Sequence, residues 1–137
     1  MADYIADTGP LVGWINGRDQ WHEWSVGVLE SLEPPLITCE AVIAEASWHL
    51  GRSREAVDRL FEMVDTGAVR IVDLLPDHMP HLRSLAAKYP QMGFCDAAVV
   101  RLAEMFPRAR VITTDTAHFS VYRRFRNKPL DLILPPS

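Results

Sequence analysis

The stretch from Asp96 to Asp115, DAAVVRLAEMFPRARVITTD, contains a complete helix-to-strand step. Val99, Val100 and Ala103 stand three, four and seven positions after Asp96, the spacing of one face of a helix. Pro107 stops that helix after Phe106, because proline lacks the N–H that a helix interior requires. Val111-Ile112-Thr113-Thr114 then reads as a buried strand, closed by Asp115. The predicted helix is Asp96–Phe106 and the predicted strand Val111–Thr114.

Outward from this unit the alternation repeats. Tyr4–Ala6 is an apolar run ending at Asp7, and Thr8-Gly9-Pro10 is expected to turn the chain ahead of a helix over Leu11–Ile15. Asp19 is expected to cap a second helix through Leu32, with Trp21, Trp24, Val28 and Leu32 near helical spacing, until Pro34-Pro35 stops it. Leu36–Thr38 reads as a strand and Glu40–Leu50 as a helix. Ser53 caps a further helix through Val64, predicted to turn Val57, Leu60, Phe61 and Val64 to the core. Val69–Val72 reads as a strand, Asp77–Lys88 as a helix and Leu130–Leu134 as a last strand. Strands alternating with helices predict the α/β class, with a parallel sheet covered on both faces.

At 137 residues the chain suits one domain, taken as 1–137. With 48% hydrophobic and 23% charged residues it is neither disordered, collagen-like nor a coiled coil. Its 14 Lys+Arg against 18 Asp+Glu exclude attachment to nucleic acid by bulk positive charge, though not by a local patch. Cys39 and Cys95 are far apart and belong to no Cys-x-x-Cys pair, which excludes a disulfide scaffold or zinc ribbon and fits reduced thiols. The acidic N-terminus shows no secretory signal, and no apolar run is long enough for a membrane span. A cytoplasmic protein with no membrane partner is expected.

The acids fall where such a sheet makes its sites. Parallel sheets bind ligands in the crevice outside the carboxyl ends of their strands, and Asp7 and Asp115 each end a strand. If those strands are parallel neighbours, both carboxylates emerge at one edge; alone, either acid reads as a turn former or helix cap. Asp96 opens a helix, where a carboxylate is favoured by the free N–H groups. A capping acid does not, however, need to head the inward stripe of Val99, Val100 and Ala103. Glu45 has Ala41, Val42 and Trp48 as helical neighbours and so interrupts an apolar stripe, whereas Glu40 sits in a solvated first turn. An acid on an apolar face either snorkels or lines a site. Carboxylates about 5 Å apart repel by about 3 kcal/mol at an effective dielectric of about 20, so four that converge need protons or a cation. All-oxygen ligands select a hard ion, Mg²⁺ or Mn²⁺, and such an ion, alone or paired, activates water and clamps a phosphodiester.

Arg108, Arg110, Arg123, Arg124, Arg126 and Lys128 gather six of the 14 basic residues into 21 positions. They form either a solvated face or a phosphate-tracking, RNA-binding patch beside the acidic pocket. His78 and His81 flank Pro80 with no third nitrogen or sulfur ligand in view, and read as surface. His118, nearer the acids, is either a phosphate donor or an exposed loop residue. Trp14, Trp21, Trp24 and Trp48 read as core or partner interface in preference to base stacking.

Four ordered segments, YIADTGPLVGWIN (4–16), ITCEAVIAEASWHL (37–50), GFCDAAVVRLAE (93–104) and VITTDTAHFSVYR (111–123), resemble those of PIN-domain ribonucleases, particularly the VapC toxins of prokaryotic toxin–antitoxin pairs. The resemblance implies a three-layer α/β/α fold around a mainly parallel sheet. It also implies a Mg²⁺-dependent endoribonuclease, with Mn²⁺ as possible substitute, acting as the toxin of a VapBC-type pair. On this likeness Asp7, Glu45, Asp96 and Asp115 are the acidic quartet. Asp7 and Asp96 match direct metal ligands, and Glu45 and Asp115 act directly or through water. Thr8 and Thr113 match hydroxyls that orient the acids or ligand waters. Between Asp115 and Phe119 this chain has Thr116-Ala117-His118 where relatives often carry basic residues, which lessens that loop as an RNA contact. The likeness further implies a VapB-like antitoxin on the helical regions 11–32 and 40–64, and a homodimer.

Other readings of an acid at the end of strand one fare worse. A haloacid-dehalogenase-like enzyme needs a second Asp two residues on, where this chain has Gly9. A response-regulator receiver needs a late lysine after a strand, and neither Lys88 nor Lys128 follows a matching one. Two alternatives stay open beside the toxin: a PIN nuclease that processes RNA without an antitoxin, and a metal-free PIN scaffold that binds RNA or protein. An intact acidic quartet counts against the scaffold, which gains nothing from the repulsion.

Overall fold

The computed structural model of the protein describes residues 3–137; Met1 and Ala2, at the start of the expected domain, lie outside the described residues. The chain runs β1 (Tyr4–Ala6), α1 (Thr8–Ile15), α2 (His22–Glu30), β2 (Leu36–Thr38), α3 (Glu40–Leu50), α4 (Arg54–Asp65), β3 (Val69–Ile71), α5 (Met79–Lys88) and α6 (Phe94–Met105). It continues through β4 (Arg110–Ile112), α7 (Thr116–Phe119), β5 (Arg123–Arg124), β6 (Lys128–Pro129) and β7 (Leu132–Ile133). Five strands make one sheet in the order β3-β2-β1-β4-β7, and every pairing in it is parallel. Helices flank this sheet, as the α/β reading requires. No described helix is long and apolar enough to cross a membrane.

Strand order positions the site. From β1 the chain builds outward to β2 and β3, then returns to place β4 on the other side of β1. The crevice of a parallel sheet opens at such a reversal, outside the carboxyl ends. Register Ala6↔Ile112 sets the residues that follow, Asp7 and Thr113, side by side, and the Asp7 N–H donates to the Ile112 carbonyl at 3.0 Å. Ile5, Val111 and Ile112 are wholly buried, as expected for central strands with both faces covered.

Helix α6 is buried from Ala97 to Leu102 and on to Ala103, apolar on every side except at Arg101. Such a helix belongs inside a fold, and its N-terminal turn carries Asp96 to the sheet edge. It begins at Phe94, so Asp96 is its third residue and not its first. Arg101 stays buried because its Nε donates to His78 Nδ1 at 3.0 Å and its Nη1 to Glu104 at 3.2 Å. His78 is thereby an internal partner and not a plain surface residue.

Several boundaries differ from the sequence expectation. Thr8-Gly9-Pro10 is the first turn of α1 and not a separate turn, because first-turn N–H groups have no intrahelical acceptor and proline forfeits nothing there. Helix α2 starts three residues after Asp19, whose carboxylate takes the Trp21 N–H at 2.8 Å in a turn leading into it, and ends before Leu32. Ser53 does cap α4, accepting the Ala56 N–H at 3.2 Å. Phe61, however, is 51% exposed, since α4 lies at the surface and only Leu60 is fully inside. Helix α5 starts at Met79, β3 ends at Ile71 and β4 at Ile112, and β7 is confined to Leu132–Ile133. Residues 116–119 form a one-turn helix, and 123–129 form an antiparallel β5–β6 hairpin that local patterning did not signal.

Candidate active site

Asp7, Glu45, Asp96 and Asp115 line one cleft of about 380 Å³ at the carboxyl edge of β1 and β4. Each comes from a different element. Asp7 leaves β1 into α1, Glu45 lies midway along α3, Asp96 is in the first turn of α6, and Asp115 precedes α7.

Asp7 is the most enclosed, only 6% exposed. It occupies the N-cap position of α1 without making a side-chain cap bond, so capping does not account for its carboxylate. Its Oδ2 accepts the Thr113 hydroxyl at 2.7 Å. Burial pushes its pKa from 3.8 up to about 7; the Thr113 hydroxyl and Thr8 N–H oppose the rise, and the charges of Asp96 and Glu45 add to it. Thr113 is itself fully buried, and its oxygen also accepts the Asp115 N–H at 3.0 Å. One hydroxyl thus ties the two strand-end acids together. Thr8 lines the cleft too, with its hydroxyl 3.7 Å from the Cys95 Sγ and bonded to none of the acids.

Asp96 is half-buried, and its Oδ2 accepts the Tyr122 hydroxyl at 2.7 Å. Its pKa is raised by burial, partly offset by the Tyr122 bond, and raised again by Asp115 and Glu45. Asp115 caps α7 by accepting the His118 N–H at 3.1 Å, and the His118 Nδ1 lies 3.0 Å from its other oxygen. His118 in turn stacks on Tyr122, with 6.3 Å between ring centroids.

Glu45 reaches the cleft for a different reason from the one its sequence neighbours suggest. The buried stripe of α3 is Val42, Ala46 and Leu50; Glu45 is exposed, and Trp48 is 78% exposed. Glu45 therefore interrupts no buried stripe and stands on the open face of α3 that borders the cleft.

The basic residues are not at this cleft. None of Arg108, Arg110, Arg123, Arg124 and Arg126 lines it. Arg110 starts β4, at the end remote from the acids, and pairs with Asp131 at 3.3 Å. Arg123 donates to the carbonyls of Ser120, Val121 and Tyr122, closing the end of α7, and Arg124 donates to the Pro107 carbonyl at 2.9 Å. Three of the five guanidinium groups thus bond to the fold, and all five stand outside the cleft that the acids line.

A family profile, that of the PIN domain, matches residues 4–130. The chain belongs to the PIN-domain family. This PIN domain is similar in fold to the crystal structure of VapC20 of Mycobacterium tuberculosis, a toxin that cleaves the sarcin-ricin loop. The TM-score is 0.76 at 16% identity, covering 84% of this chain and 92% of that one. It is also similar to VapBC2 of Rickettsia felis, solved bound to a DNA fragment from its promoter, with TM-score 0.63, 17% identity, and 97% and 98% of the two chains covered. No curated protein matches the PIN domain in sequence.

Three residues that touch or border the acids of this PIN domain are not signalled as site residues by the sequence. Tyr122 holds Asp96 from 26 positions away, and its place three residues after Phe119 signals only core packing. Trp21 and His49 border the acids as well, through the packing of α1 against α2 and α3.

Proposed function

We propose that this PIN domain is a Mg²⁺-dependent endoribonuclease and the toxin of a VapBC-type pair, held in check by a VapB-like antitoxin. The observation that carries the reading is the gathering of four acids from four elements, with no lysine or arginine among the described residues lining the cleft, around a carboxylate buried far more deeply than capping requires. That arrangement is unfavourable without a cation. Among the described residues no group of three His, Cys, Asp or Glu side chains is disposed to hold an ion by itself. The four acids offer carboxylate oxygens alone, a donor set that suits Mg²⁺, which keeps several waters and takes one or two protein carboxylates, better than it suits a closed zinc cage of nitrogen and sulfur ligands.

Asp7 and Asp96 would hold the ion, with Glu45 and Asp115 joining directly or through water, and Mn²⁺ would substitute. Bound there, it would supply an activated water and charge neutralisation at a phosphodiester. The chain's own contribution is orientation. Thr113 fixes one oxygen of Asp7, Tyr122 fixes one oxygen of Asp96, and His118 faces the Asp115 carboxylate. Asp7 and Asp96 therefore each enter the reaction with one oxygen restrained and the other directed by that restraint, which lowers the cost of ordering the site.

The decisive experiment is cleavage of total cellular RNA by purified protein, with Mg²⁺, with EDTA, and with Asp96→Asn in Mg²⁺. Cleavage by wild type with metal alone is expected. Cleavage that persists in EDTA or in Asp96→Asn overturns the assignment. Absence of both cleavage and calorimetric Mg²⁺ binding favours a metal-free scaffold instead. A short upstream gene whose product co-purifies with the protein and suppresses cleavage supports the toxin; a protein active in cells with no such partner is the antitoxin-free nuclease.

A further inference from the structure

At the far end of α6 a second groove, of about 510 Å³, runs between Ala103, Pro107 and the hairpin residues Arg124, Phe125, Arg126 and Lys128. Its charge is one-sided. Among the described residues Glu104 is the only acid lining it, and it is already held by Arg101 at 3.2 Å. Arg126 and Lys128 are exposed and have no carboxylate partner among the described residues. Positions 108–128 carry six basic residues against one acid, Asp115, in a chain of net charge −4. Phe125 stands among these cations 52% exposed, with the Arg101 guanidinium 5.5 Å from its ring centroid. Arg126 and Asn127 both adopt left-handed backbone, φ 60° and 58°, in the turn of the hairpin, a conformation that non-glycine residues rarely take.

An aromatic face set among unpaired cations is the chemistry of single-stranded nucleic acid: a base stacks on the ring while phosphates take the charges. An acidic peptide would use the cations but would cover the exposed ring only where it also carried an apolar side chain, whereas every nucleotide brings both a base and a phosphate. Placement agrees. Ala103 lies two turns beyond Asp96 on the same stripe of α6, about 10 Å along the axis. Strand β5 starts directly after Tyr122, whose hydroxyl holds Asp96. At about 3.4 Å per stacked nucleotide, the groove is reached about three nucleotides from a bond held at the acids.

We infer that the groove between α6 and the β5–β6 hairpin is a second RNA subsite, taking a base on Phe125 and neighbouring phosphates on Arg126 and Lys128. The inference rests on the ribonuclease reading and gives that activity a strand path. Fluorescence anisotropy of a labelled 12-nucleotide oligo(A), with the full chain in EDTA, tests it, with thermal unfolding read alongside to certify each variant as folded. Phe125→Ala is expected to weaken binding about tenfold or more, and Phe125→Tyr, which keeps the ring, to retain it. Arg126→Ala with Lys128→Ala is expected to flatten the slope of log Kd against log salt by about 1.4, two phosphates at about 0.7 each. Wild-type affinity and slope in the folded variants overturn the subsite, while cleavage of total RNA by wild type leaves the ribonuclease reading in place. Polyglutamate that binds more tightly than oligo(A), with the same dependence on Arg126 and Lys128, overturns RNA as the occupant in favour of an acidic protein. A wild type that neither binds oligo(A) nor cleaves total RNA in Mg²⁺ fails the ribonuclease reading, and the subsite falls with it.

Discussion

Burial without a counter-charge holds the Asp7 carboxyl near a pKa of about 7, against 3.8 in an unfolded chain. Because the folded value is the higher one, folding favours the protonated form. That contribution is complete below about pH 3.8 and is lost as the pH rises through about 7. In EDTA, Asp7→Asn is therefore expected to melt several degrees above wild type at pH 8, with the gap closing toward pH 4 in a series of thermal unfolding curves. Asparagine keeps an acceptor for the Thr113 hydroxyl, so the comparison isolates the charge. The same variant is expected to lose more than about 100-fold of its RNA cleavage, since even the outer partners of a metal ligand are worth 10- to 100-fold. Tyr122→Phe tests such a partner. It keeps the ring against Tyr89 and Phe119 and deletes only the bond to Asp96. A rise of about tenfold in the Mg²⁺ concentration for half-maximal cleavage is expected, with little change in melting temperature.

At the scale of elements, the approach of α1 to the end of β4 sets how closely Asp7 and Asp115 can stand. Gly9, in the first turn of α1, faces Thr114 so closely that a Cβ there would run into its hydroxyl and crowd its Cβ and methyl. Rotation of the Thr114 side chain can move the hydroxyl and methyl but leaves its Cβ in place. Gly9→Ala is expected to cost about 1–3 kcal/mol in denaturant unfolding and to reduce cleavage by displacing Asp7. Adding Thr114→Ala is expected to recover much of the stability, a coupling that a double-mutant cycle reads directly. The elements themselves were largely legible. Pro107 and Pro34-Pro35 stop chain segments by a local rule, and Glu40–Leu50 was read with the bounds it has. Phe61 and Glu45 were misjudged because helical spacing says which residues share a face but not which face a neighbour covers. The β5–β6 hairpin escaped because its two-residue strands and left-handed Arg126-Asn127 turn carry no hydrophobic period.

Across the whole molecule, a divalent ion that binds only the folded state stabilises it by about 2.7 kcal/mol at 100 times its Kd. Saturating Mg²⁺ or Mn²⁺ is expected to raise the melting temperature of wild type at pH 8 by several degrees, with most of that gain absent in Asp7→Asn; an equal gain in both would place the ion elsewhere. The sequence by itself determined the class of the fold and the strand ends from which Asp7 and Asp115 follow. Those follow from local rules: alternation of periods, proline stops, and carboxylates where a parallel sheet opens. Only the tertiary structure decided that β4 lies against β1, that Thr113 bridges the two strand-end acids, and that Tyr122 reaches Asp96. It also moved the arginines away from the acids, Arg110 to the other end of its strand and Arg123 and Arg124 onto backbone carbonyls. Charge proximity in sequence carries no direction. Which edge a side chain faces is settled when strands pair in register and buried groups must find partners.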